Sequence, residues 1–165
     1  MDTLLASVIE TLNGSALNGM ITRNAFVFPA LEMAHFLGLS LLYGSLLIVD
    51  LRIVGMAPAV PIDRVEAFVR FAMAGFVINL ATGLLFIVAD SDRYLVNSAF
   101  LAKMLLIALA GLNAAYFMRR IKPQMEAGIA SRDLAGGAHF VAWLSLAIWS
   151  GVIVLGRFIP YVEDI

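Results

Sequence analysis

The chain of 165 residues is 62% apolar and 14% charged, against about 45–50% and about 25% for an ordinary soluble domain, and its mean hydropathy is +0.94. Too little polar surface remains to cover a water-soluble globule, which argues against a soluble enzyme. The net charge of −1 offers no basic field for nucleic acid, and the absence of cysteine removes disulfides, thiolate metal sites, iron–sulfur clusters and covalently attached haem.

The N-terminal segment carries an apolar stripe of Leu4, Leu5, Val8, Ile9 and Leu12, with Asp2, Ser7, Glu10 and Thr11 on the rest of the helix surface. This predicts an amphipathic helix over 2–13, ended by Asn13-Gly14 and lying in the membrane interface. No Lys or Arg precedes Arg23 and the apolar run is short, which separates the segment from a secretory leader.

About 20 apolar residues cross a bilayer as a helix, and four stretches qualify. The first covers about 29–49, opening at Pro29 and closed by Asp50 and Arg52. The second covers about 67–89 and follows Asp63-Arg64-Val65-Glu66, which reads as a capping box. The third covers about 99–118 after Asn97-Ser98, and the fourth about 138–159 after Gly136-Gly137. Short connections make sequential spans antiparallel. The expected fold is therefore all-α: a single transmembrane domain over 1–165, an integral membrane four-helix bundle with an N-terminal interfacial helix.

Orientation follows from the basic residues. Arg52, Arg64, Arg70, Arg119, Arg120, Lys122 and Arg132 fall on one side, and Arg23, Arg93 and Arg157 on the other. The positive-inside rule puts the first set in the cytoplasm. Both termini then face the periplasm of a bacterial inner membrane.

Ionisable residues inside spans are costly and mark candidate sites. Counting helical rise places Glu32 and His35 one to two turns, and Lys103 about one turn, inside the outer ends of their spans. Thr82, Gly83, Trp149, Ser150 and Gly151 are expected at the same level, with Asn97, Arg157 and Tyr161 just above it. Gly38, Gly44, Ser45, Gly75, Asn79, Gly83 and Gly111 are read as points of close helix approach. His139 opens the fourth span at the other end, roughly 15–20 Å from His35 in depth, so the two are not a pair of ligands to one iron in one subunit.

Glu32 and His35 form a Glu-x-x-His pair on adjacent turns. Two roles suit it: an axial haem or metal ligand with a carboxylate neighbour, or a buried knot in which Glu32 pairs with Lys103 and His35 donates to a carbonyl. Lys103 either snorkels or binds an anionic group, and Arg157 either anchors at the interface or holds a haem propionate. Met33 and Met104, with His35, make a soft copper site the further alternative.

The stretch Phe28-Pro29-x-x-Glu32-x-x-His35-x-x-Gly38, continuing through Gly44 to Val49-Asp50-Leu51-Arg52-x-x-Gly55, resembles a bacterial family of small four-helix membrane proteins of unknown function. Asn79-x-x-Thr82-Gly83, Asn97-x-x-Phe100-x-x-Lys103 and Trp149 through Gly156-Arg157-x-Ile159-x-Tyr161 extend the resemblance over most of the chain. More distantly, a histidine in an early span and a lysine in a later one are similar to the copper-resistance D-type membrane domain and the bacterial membrane-bound protoporphyrinogen oxidase. That similarity implies His35 as a haem b ligand and Lys103 as the second functional residue.

The sequence thus leads to a haem-binding or redox-linked membrane subunit. His35 is expected to ligate iron, Gly83 and Gly151 to leave room for a planar ring, Trp149 to pack on it, and Lys103 or Arg157 to hold propionates, with Glu32 and Thr82 at the same level beside the ligand. A quinone or a periplasmic redox protein is the expected electron partner, and no nucleic acid is. The alternatives are a non-catalytic subunit of a larger membrane complex or homo-oligomer, and copper handling. No residue is assigned a catalytic role.

Overall fold

A computed structural model describes residues 2–61 and 64–162. Its long helices are α3 (Val27–Ile53), α4 (Val65–Ala89), α6 (Ser98–Tyr116) and α8 (Ala138–Phe158). All four are long and apolar enough to cross a membrane. Shorter helices are α1 (Asp2–Asn13), α2 (Ala16–Arg23), α5 (Ser91–Val96) and α7 (Lys122–Glu126). The bundle and the N-terminal amphipathic helix are as the residue pattern implies. Two ends differ: α3 runs on to Ile53, so Asp50 and Arg52 lie within it rather than beyond it, and Asp63 of the expected capping box lies outside the described residues.

Helices α2 and α5 were not expected, and side-chain capping accounts for both. Ser15 accepts from the Asn18 amide to start α2, and Asp90 accepts from the Arg93 amide to start α5. Helix α2 in turn finishes α4, because Asn18 Nδ2 donates to the Val88 and Ala89 carbonyls at 2.8 and 3.2 Å. These are orphan acceptors at a helix C-terminus. Asn13 holds α1 to α5 by donating to Asp92 and accepting from Ser91, both at 2.7 Å.

The rod formed by α6 widens into a π turn at Phe117–Ile121 before α7. Pro123 explains it: its nitrogen cannot donate to the Arg119 carbonyl and its ring would strike that group in a regular helix. At the other end Asn97 accepts from the Phe100 amide and donates to the Ile159 carbonyl at 2.9 Å, tying the start of α6 to the end of α8.

Helix α3 packs most extensively on α4, α8 packs on both α3 and α6, and α4 and α6 share no extensive interface among the described residues. The cross-section is an arc in the order α4–α3–α8–α6. A hydrophobic cluster including Val49, Ile53, Val65, Phe117, Ile121, Met125 and Ala142 closes the end of the bundle opposite α2 and α5. Arg52 secures the connections there, donating from Nε to the Val60 carbonyl at 2.6 Å and from Nη1 to the Ser131 hydroxyl.

The α3–α4 contact is set by two glycines. A Cβ on Gly75 would lie 2.6 Å from the Gly38 carbonyl oxygen and 2.5 Å from the Leu42 nitrogen, both backbone atoms. A Cβ on Gly38 would lie 2.6 Å from Asn79 Nδ2. Gly44 and Gly111, expected to act alike, meet nothing within 4 Å. In lipid, where apolar burial does not drive helices together, such close packing carries the association. Gly75→Val is therefore expected to destabilise the bundle by about 1–3 kcal/mol, while Gly44→Ala is near neutral. Equilibrium unfolding in detergent checks both, and equal effects would contradict the assignment.

Candidate functional site

His35 stands on α3, half-buried against α4. Its Nδ1 is 2.7 Å from the Thr82 hydroxyl, and that hydroxyl is also 2.7 Å from the Ile78 carbonyl oxygen. A hydroxyl has one proton. Donated to the Ile78 carbonyl, it leaves the Thr82 oxygen to accept from His35, so Nδ1 carries the ring proton and Nε2 keeps its lone pair. The Phe86 ring lies 5.2 Å from the imidazole and holds its orientation, and a Cβ on Gly83 would be 3.9 Å from Cε1. Phe86 continues to Tyr94 at 6.4 Å, and Tyr94 to Phe100 at 5.4 Å, so an aromatic chain links α4 through α5 to α6 beside the histidine.

Lys103 enters from α6. It is partly buried, lies within electrostatic reach of His35, and its Nζ would be 3.4 Å from a Cβ on Gly156 of α8. His35, Thr82, Gly83, Lys103 and Gly156 therefore bring all four long helices to one layer, near the end of the bundle that carries α2 and α5. Gly156 stands here for the fourth span, in place of the expected Trp149, Ser150 and Gly151.

Other expected members lie elsewhere. Glu32 is exposed and makes no ion pair with Lys103 among the described residues, because it sits on the face of α3 that turns away from the bundle. Arg157 is exposed and engages Tyr161 instead, with Nη2 3.1 Å from the phenol oxygen and the guanidinium 5.3 Å from the ring centroid. Trp149 lies deeper. Its ring meets Phe76 edge-on at 6.4 Å, and the adjacent Ser150 shares a 3.0 Å hydrogen bond with Tyr43, two turns further along α3 than His35. Met33 is 65% exposed, and His139 is exposed at the opposite end of α8. Among the described residues no three His, Asp or Glu side chains cluster as a metal site.

Asp50 is the residue that sequence reasoning missed. Read as an anchor at a helix end, it is instead 4% exposed. It borders a cavity of about 340 Å³ that α3 and α8 floor and α4 and α6 wall. Leu42, Val49, Asp50 and Ile53 are all buried and recur at the spacing of one helix face, a face that the evenly apolar sequence of α3 does not display.

The four long helices fall within the region matched by a family model, residues 16–162, described as a family of unknown function. The chain belongs to DUF6644. Every motif residue from Phe28 to Tyr161 lies inside that match, whereas α1 precedes it. No curated protein and no solved structure matches this DUF6644 chain, and the expected similarity to the copper-resistance D-type domain and protoporphyrinogen oxidase finds no support in the family match.

The His35–Thr82 bond has a measurable signature. In a double-mutant cycle of His35→Ala and Thr82→Val, unfolding in detergent is expected to give a coupling energy of about 0.5–1.5 kcal/mol. Additive effects would show that the two side chains do not interact.

Proposed function

We propose that the chain is a redox-linked membrane subunit that holds a b-type haem in its outer layer, with His35 Nε2 as the axial ligand. The observation that carries this reading is the 2.7 Å approach of His35 Nδ1 to a Thr82 hydroxyl that itself lies 2.7 Å from the Ile78 carbonyl, an arrangement that suits a proton on Nδ1. Metal-ligating histidines are commonly fixed in this way, by a second hydrogen bond that sets the tautomer and directs the other nitrogen outward. A layer with one histidine and no cluster of acidic ligands suits a metal that brings its remaining ligands with it, as a porphyrin does. Gly83 and Gly156 keep side chains out of the layer, and Lys103 supplies a cation for a propionate.

Within this reading Thr82 orients the imidazole, Phe86 excludes water from one face of it, and Lys103 compensates carboxylate charge. Haem, when bound, supplies one-electron chemistry. The excess of Lys and Arg at the other end of the bundle supports a periplasmic position for the layer and both termini in a bacterial inner membrane. A quinone in the bilayer or a periplasmic protein is then the natural electron partner. Copper handling is the weaker reading, since Met33 faces away from the bundle. A subunit of a larger membrane complex is favoured by one observation, the exposed Glu32 inside a span, which a partner helix could satisfy.

The protein purified in detergent from haem-replete cells is expected to show a Soret band, with α and β bands sharpening on dithionite reduction. His35→Ala is expected to remove them while the protein still inserts and folds. A colourless, folded protein that co-purifies with stoichiometric partners would overturn the haem reading in favour of the complex subunit.

A further inference from the structure

The cavity beside Asp50 is separate from the outer layer and has its own chemistry. Its walls are almost entirely apolar, with Leu46, Ala72, Phe76, Ile107 and Trp149 among them. Its volume of about 340 Å³ sits at the lower end of the range for small-molecule sites. Three polar side chains reach it: Asp50, Asn113 and Ser145. Asn113 is committed to the Val141 carbonyl at 3.1 Å, and Ser145 faces the Asp50 carboxyl as a hydrogen-bonding neighbour. Asp50 Oδ2 is left with no partner, alone among buried side-chain polar atoms of the described residues. Arg52, two residues on, does not reach back to it, being held by Val60 and Ser131.

An unpaired buried polar atom is costly, and more so at membrane depth, where water is scarce. A carboxyl oxygen accepts a hydrogen bond in either protonation state, and no donor among the described residues meets this one. Access comes from the side. Helices α4 and α6 do not close on each other, and the cavity's rim includes Met73 and Met118, which are 58% and 43% exposed on the outer surface of the bundle. Whatever enters there comes from the hydrocarbon of the bilayer.

We propose that this cavity is a second binding site, for a lipophilic molecule carrying a hydrogen-bond donor, with the Asp50 carboxyl as its anchor. The apolar walls take the body of the ligand, and Asp50 Oδ2 accepts from its amine or hydroxyl group. The site does not depend on the outer layer holding a haem.

The protein carries two tryptophans, and Trp149 lines the cavity while Trp143 does not. Trp143→Phe thus leaves a single fluorophore in the site. In micelles this variant is titrated with dodecylamine, dodecanol and dodecane, which share an apolar body and differ in the donor. The amine and the alcohol are expected to shift Trp149 emission saturably at concentrations at least tenfold lower than dodecane. Asp50→Leu is expected to abolish that preference. Gly111→Phe, at a wall position where a Cβ meets nothing within 4 Å, is expected to block all three probes. Equal titration by the three probes would overturn the proposal and leave the cavity as a seat for a lipid chain. So would an unchanged preference in Asp50→Leu, or undiminished binding in Gly111→Phe. If Asp50→Leu does not fold, the probe comparison and Gly111→Phe still decide. The readout is Trp149 emission and needs no haem, so this site and the outer reading can fail separately.

Discussion

Everything in this bundle is referred to the line where Gly75 of α4 meets the backbone of α3. No side chain fits between the two helices there, so their separation and register are fixed by main-chain contact rather than by adaptable packing. Two turns further along α4, that register delivers Thr82 to His35. The hydroxyl bridges the imidazole to the Ile78 carbonyl of its own helix, an arrangement that suits a ring proton on Nδ1. A looser α3–α4 pair would leave the histidine free to rotate.

The same tight pair explains the open side. With α4 drawn onto α3, and α8 occupying the next flank of α3, α6 is held by α8 and by end contacts rather than by α4. Asn97 and the Phe86–Tyr94–Phe100 chain join the helices at one end, and the hydrophobic cluster around Ile53 and Ile121 seals the other. Between those closures the walls stay apart, and the space becomes the cavity. Two chemically distinct places result: a layer that brings His35 near Lys103, and a chamber that presents an unpartnered carboxyl oxygen to apolar surroundings.

Much of this was legible in the sequence. Runs of about 20 apolar residues announce spans irrespective of packing, and the periodicity of Leu4, Leu5, Val8, Ile9 and Leu12 announces the N-terminal amphipathic helix. Depth counting brought His35, Thr82, Gly83 and Lys103 to one level, because rise per residue is nearly constant in helices. Rotation about each helix axis was harder to see. Glu32 and Trp149 share or approach the depth of the layer, but one faces away from the bundle and the other faces a different chamber. A span that is apolar all round gives no moment to orient it. Helix ends misled in a different way: Asp50 was taken for a terminal anchor because charge usually marks where a span stops, and only the buried stripe from Leu42 to Ile53 reveals its true position. Helices α2 and α5 depend on caps at Ser15 and Asp90 that no hydrophobic pattern foretells.

The central claim is that His35 is held with its proton on Nδ1 and a lone pair on Nε2. Nitrogen-15 NMR of histidine-labelled protein in lipid tests it directly, because the chain has two histidines and His139→Gln isolates the signal. The account predicts a protonated, pyrrole-type resonance at Nδ1 and an unprotonated, pyridine-type resonance at Nε2, with both altered in Thr82→Val. A protonated Nε2 in the unsubstituted protein would contradict it.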